Sequence, residues 1–95
     1  MRLPLFSSVP RGDTPNLIGI QDEAITNIPT VLVCPLRAGL KLTPVRVEVH
    51  RNGKSLIACP ELSRPIHRSG LRYLGRLDTD VSRELMERFR ALLAH

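Results

Sequence analysis

Histidine is the usual general base near neutral pH, and the chain holds three: His50, His67 and His95. His50 ends an alternating run and His95 is the final residue, so both read as surface groups. His67, in Pro65-Ile66-His67-Arg68-Ser69-Gly70, stands beside a hydroxyl in a basic stretch, where phosphate binding or RNA cleavage is the chemistry on offer. Arg64, Arg68, Arg72 and Arg76 recur around it every four residues. Pro65 and Gly70 argue against a helix there, and on extended backbone a four-residue interval keeps side chains on one side. The expectation is a cationic strip, with Arg64, His67, Arg68 and Arg72 meeting an acidic partner or nucleic acid.

The charge balance agrees in sign. Fourteen Lys and Arg against nine Asp and Glu give +5, and all but Lys41 and Lys54 of the basic residues are arginine. A guanidinium grips carboxylate or phosphate with two parallel hydrogen bonds, although GC-rich codon usage produces the same bias. Aromatic residues point the other way: Phe6, Tyr73 and Phe89 are scattered, too few for the base-stacking platform of an RNA-recognition sheet. Cys34 and Cys59 each sit in an apolar run rather than a Cys-x-x-Cys pair, which favours buried, reduced thiols in a cytoplasmic protein over zinc or thioredoxin-type chemistry. No glycine-rich phosphate loop, His-x-x-x-His pair or Gly-x-Ser-x-Gly elbow occurs, so no cofactor and no metal is expected. Arg11-Gly12-Asp13 reads as turn chemistry. An apolar run long enough to span a membrane is missing, and the first residues lack the apolar run of a secretory signal.

The elements that must position these groups are short. Ninety-five residues suit one domain, 1–95, whose small core would gain from homodimerisation. Leu3–Ser8 reads as a first strand, Pro10–Pro15 as a turn, and Leu17–Gln21 as the return. Asp22–Pro29 is a connection with room for one helical turn. Thr30–Cys34 is the run of a central strand buried on both faces, and Pro35 is expected to stop its ladder. Val45–His50 alternates strictly, Asn52-Gly53 suits a type I′ turn, and Ser55–Cys59 returns. Pro65–His67 and Leu71–Gly75 are candidate edge strands. From Asp78, Val81, Leu85, Phe89 and Leu92/Leu93 recur at helical spacing. The fold class is therefore mainly β, a small, strongly curved antiparallel sheet or SH3-like barrel with a C-terminal helix.

The order of motifs resembles a family. Ile20-Gln21-Asp22-Glu23-Ala24-Ile25, then a β-branched strand closing on Pro35-Leu36, Glu61-Leu62 before Pro65, Leu74-Gly75-Arg76-Leu77 and a terminal helix are similar to the CcdB toxins over nearly the whole chain. That resemblance implies a non-catalytic, cytoplasmic homodimeric toxin of a toxin–antitoxin pair. It would bind the A subunit of DNA gyrase and be neutralised by a disordered, acidic antitoxin segment. The contact surface for the target would be Leu93, Ala94 and His95, where the best-known member ends in Trp-Gly-Ile. The related MazF/PemK endoribonuclease toxins share the fold and are the alternative, with an inactive or purely structural relative as the further one. They generally carry an early Arg-Pro and a Thr after Pro-Leu, whereas Arg37 and Ala38 follow Leu36 here. On that alternative the substrate is single-stranded RNA and the site residues are Arg37 and His67.

Overall fold

A computed structural model describes residues 1–8, 14–20 and 28–94. The Pro10–Asp13 part of the expected Pro10–Pro15 turn, the Gln21–Asn27 part of the connection with its helical turn, and His95 lie outside the described residues. The elements are β1 (Pro4–Ser8), β2 (Leu17–Gly19), β3 (Thr30–Arg37), β4 (Val47–Arg51), β5 (Lys54–Ala58), β6 (Arg64–His67), β7 (Leu71–Arg76) and α1 (Thr79–Leu93). They form one curled antiparallel sheet in the order β4-β5-β3-β2-β1-β7, with β6 also beside β3, and one C-terminal helix. No helix of the described chain is long and apolar enough to cross a membrane.

The central strand is where the apolar run placed it, but it does not end at Pro35. It continues to Arg37, with Leu17 opposite Pro35. The reason lies in its two-part second neighbour. On that edge Val33 pairs with Arg64 of β6 and Leu36 with Ala58 of β5. The Pro35 carbonyl accepts from the Cys59 N–H at 2.9 Å, so its ring nitrogen faces the same edge, at the step between β6 and β5. A missing donor costs nothing in a gap. The β4–β5 hairpin follows the alternation: Val47 and Val49 are buried, Glu48 and His50 exposed. Its turn uses positive φ at Asn52 (52°) and Gly53 (76°), the geometry that pair tolerates.

Alternation divides the sheet into two faces. Leu3, Leu5, Ile18, Cys34 and Leu36 point to one, where Val47, Val49 and Leu85 complete the main core under α1. Asp78 caps the helix, its carboxylate accepting from the Val81 N–H at 2.9 Å. Phe89, Val81 and Met86 lean on this core, while Glu84 and Arg88 pair on the outside at 3.6 Å. Ser82, which apolar periodicity passes over, is fully buried and accepts the Leu3 N–H at 2.9 Å, fastening the helix to the start of β1. The opposite face carries a smaller cluster of Leu17, Val31 and Val33 with Phe6, Ile66 and Leu71 around it.

Two expectations need correction here. The arginines spaced by four do not lie along one extended strand: the 3₁₀ turn Arg68–Gly70 separates β6, which pairs with β3, from β7, which pairs with β1. The aromatic residues are not all scattered either. Phe6 and Tyr73 face each other across β1 and β7, with ring centroids 6.2 Å apart at 69°.

Candidate anion-binding cleft

Alternation along β3 puts Val31, Val33, Pro35 and Arg37 on the face away from the helix, and the register brings Arg64 there opposite Val33. Both arginines line a cleft of about 620 Å³ at the end of the sheet. Its apolar floor comes from Leu17, Pro35 and Leu56, and polar groups at its wall come from Ser8, Thr14 and Asn16. Asn16 is held rigidly. Its carbonyl oxygen accepts from the Ser8 N–H at 2.9 Å, its amide donates to Ser8 Oγ at 3.2 Å, and its backbone carbonyl accepts from Leu36 N–H at 2.9 Å. These bonds tie β1, β2 and β3 together at the cleft mouth.

Arg37 and Arg64 are exposed, and neither guanidinium makes a hydrogen bond or ion pair with another described residue. No carboxylate and no imidazole is among the described residues that line the cleft. The arrangement therefore offers positive charge and neutral hydrogen-bonding groups, a complement to an anion with oxygens to share. It holds no positioned proton-transfer group among those residues.

The remaining predicted site residues lie elsewhere. His67 faces Thr30, at the far end of β3 from Arg37, a separation of about 23 Å along the strand. The chain therefore does not bring Arg37 and His67 together. His67 Nδ1 contacts Ser69 Oγ at 2.8 Å and accepts the Ser69 N–H at 3.2 Å, capping the 3₁₀ turn. Arg68 ties this turn to the chain before β3, donating from Nε to the Ile28 carbonyl at 2.8 Å. Arg72 stands on β7 opposite Ser7. Leu93, 71% exposed, and Ala94 end the helix in solvent, and His95 lies outside the described residues. Glu61 is engaged by Arg46 at 2.9 Å.

A second polar cluster, on the hairpin, superficially suggests a nucleophile relay. Glu48 contacts His50 at 3.0 Å and accepts from Ser55 Oγ at 2.8 Å. The hydroxyl thus donates to the carboxylate rather than to the imidazole, so the base that would activate it is misplaced. Both cysteines are free and buried. Burial pushes the Cys34 thiol up to about 12, and the neighbouring Cys59 adds to the rise. Among the described residues no group of three or more His, Cys, Asp or Glu side chains is arranged to hold a metal ion.

Sequence reading singled out Arg37 and Arg64 but missed Ser8, Thr14 and Asn16. The strand and its return were expected, but the registers of β1 on β2 and of β2 on β3, which bring these groups to the cleft, are not given by spacing.

No family model and no curated protein sequence matches the chain. Its fold is similar to that of a chain in the crystal structure of MazE–MazF (Form II) from Deinococcus radiodurans. The TM-score is 0.73 at 20% identity, over 97% of this chain and 89% of that one.

Proposed function

We propose that this protein is the toxin of a toxin–antitoxin pair and that it acts on single-stranded RNA, whose backbone lies in the Arg37–Arg64 cleft. One observation carries the reading. Two arginine side chains without partners among the described residues line one cleft whose described lining contains no carboxylate. A phosphodiester satisfies both with its non-bridging oxygens, and the neutral wall of Ser8 and Asn16 does not repel it. The likeness to a chain of a MazE–MazF complex and the resemblance to MazF/PemK toxins support RNA over DNA gyrase as the target. A net charge of +5 favours an acidic antitoxin, and a homodimer follows from the same resemblance.

The chemistry this cleft can promote is attack of a ribose 2′-oxygen on the adjacent phosphorus. The 2′-O–P bond forms, the P–O5′ bond breaks, and a 2′,3′-cyclic phosphate and a 5′-hydroxyl result. The 2′-hydroxyl proton goes to water, and the leaving oxygen takes one from water. The guanidinium groups stabilise the extra negative charge on the phosphorane, the contribution that matters most where no positioned acid or base assists. At Arg37 the chain thus supplies charge where the ribonuclease toxins generally carry a hydroxyl.

The test is incubation of end-labelled single-stranded RNA with the purified protein in EDTA. Cleavage to cyclic-phosphate ends, lost in Arg37→Ala and Arg64→Ala and absent with a 2′-deoxy substrate, is the expected result. Intact RNA, with linear plasmid formed only when DNA gyrase is also present, would overturn the reading in favour of a gyrase poison.

A further inference from the structure

Tyr73 is 57% exposed, unusual for an aromatic ring that is nevertheless held in place. Phe6 meets it edge-on from β1. The β1–β7 register shifts between Leu5 and Phe6: Leu5 faces Gly75 and Phe6 faces Tyr73, which leaves Leu74 as the extra residue of a bulge. Gly75 takes φ 130° to accommodate it. The bulge puts Arg76 on the same face as Tyr73, with its guanidinium carbon 6.0 Å from the ring centroid. Arg76 is itself anchored by donating to the Arg2 carbonyl at 2.9 Å. The ring is thus oriented by two neighbours while most of its surface stays wet.

Its position relates it to the cleft. Ser8, on the cleft wall, faces Leu71, and Tyr73 lies two residues further along β7 on the same sheet face. That offset places the Tyr73 and Ser8 backbones about 8 Å apart. We infer that Tyr73 is a stacking site for the base adjacent to the phosphate held by Arg37 and Arg64, an inference that rests on the RNA reading above. A pre-oriented ring needs no rotamer ordering when the base arrives, and stacking tolerates any base because each has a π-face.

The chain has one Tyr and no Trp, so its intrinsic fluorescence reports on this ring alone. The probe is a fluorescein-labelled hexanucleotide made uncleavable by 2′-deoxy sugars, with an abasic hexamer of the same charge as control. Tyrosine fluorescence should be quenched by the unlabelled hexanucleotide and not by the abasic one. Tyr73→Leu should weaken hexanucleotide binding about tenfold and leave the abasic oligomer unaffected, while Tyr73→Phe binds as the parent does. The inference is overturned if Tyr73→Leu binds normally while Arg37→Ala and Arg64→Ala do not. It is equally overturned if Tyr73→Leu loses binding only because it dissociates a dimer on a sizing column, since the ring then serves a subunit interface. Should neither the arginines nor Tyr73 affect binding, the RNA reading fails and this inference with it.

Discussion

Ser82→Ala isolates a single bond between the helix and the sheet. Ser82 Oγ accepts the Leu3 N–H at 2.9 Å across 79 residues of sequence, and both residues are buried, Ser82 completely and Leu3 to 5% exposure. Removing the oxygen loses a hydrogen bond worth about 1 kcal/mol and leaves a buried N–H whose desolvation costs about 1–3 kcal/mol more if nothing replaces it. Alanine is the better helix former by about 0.5 kcal/mol, which offsets part of the loss. The expected destabilisation is about 2 kcal/mol, equivalent to a fall in Tm of about 10 °C for a domain of this size. Urea unfolding followed by circular dichroism should show a lower midpoint at unchanged slope, and the Leu3 amide should lose its hydrogen-exchange protection. Arg83→Ala, next door but exposed and only loosely paired with Asp80 at 3.6 Å, serves as the control and should change stability by less than about 0.5 kcal/mol. If Ser82→Ala is no less stable than this control, the bond does not hold the helix to β1.

Two further outcomes follow from the packing. Cys34 has its thiol pushed from 9.0 to about 12 by burial, so only the unfolded chain ionises between those values; stability is full below pH 9 and falls by up to about 1.4 kcal/mol per pH unit above it. Urea titrations at pH 8 and pH 10 should show the loss, and Cys34→Ala, whatever its stability at pH 8, should show a shallower decline. A Cβ at Gly19 would lie 2.9 Å from Pro4 Cγ and 3.0 Å from Phe6 Cε2, so Gly19→Ala should cost about 1–3 kcal/mol by overpacking and alter the fluorescence of Tyr73, against which Phe6 rests. An unchanged Tm and spectrum would show that the two side chains yield freely.

Much of the architecture was legible because single local signals specified it. The Asn52-Gly53 pair, the alternation of Val47 and Val49, and the helical recurrence of Val81, Leu85 and Phe89 each depend on neighbours in sequence, and the structure places all three as those signals require. What failed depended on partners far away. Pro35 is tolerated inside β3 because its other neighbour changes strand beside it. The arginine spacing was read on extended backbone, and the 3₁₀ turn between the two edge strands breaks that period. The cleft was half visible: Arg37 and Arg64 stood out by charge, whereas Ser8 and Asn16 acquire meaning only through the pairing of β1, β2 and β3. Gln21–Ile25, which contributed to the family resemblance, lies outside the described residues.

The central claim is that Arg37 and Arg64 hold an RNA backbone, and the salt dependence of binding tests it most directly. Affinity for an uncleavable labelled oligonucleotide is measured by anisotropy over a series of salt concentrations for the parent, Arg37→Ala, Arg64→Ala and Arg83→Ala. Each phosphate contact on a single strand contributes about 0.7 to the slope of log affinity against log salt. The account predicts that each cleft variant binds more weakly and lowers the slope by about 0.7, while Arg83→Ala changes neither. Equal slopes and affinities for the cleft variants and the parent would contradict it.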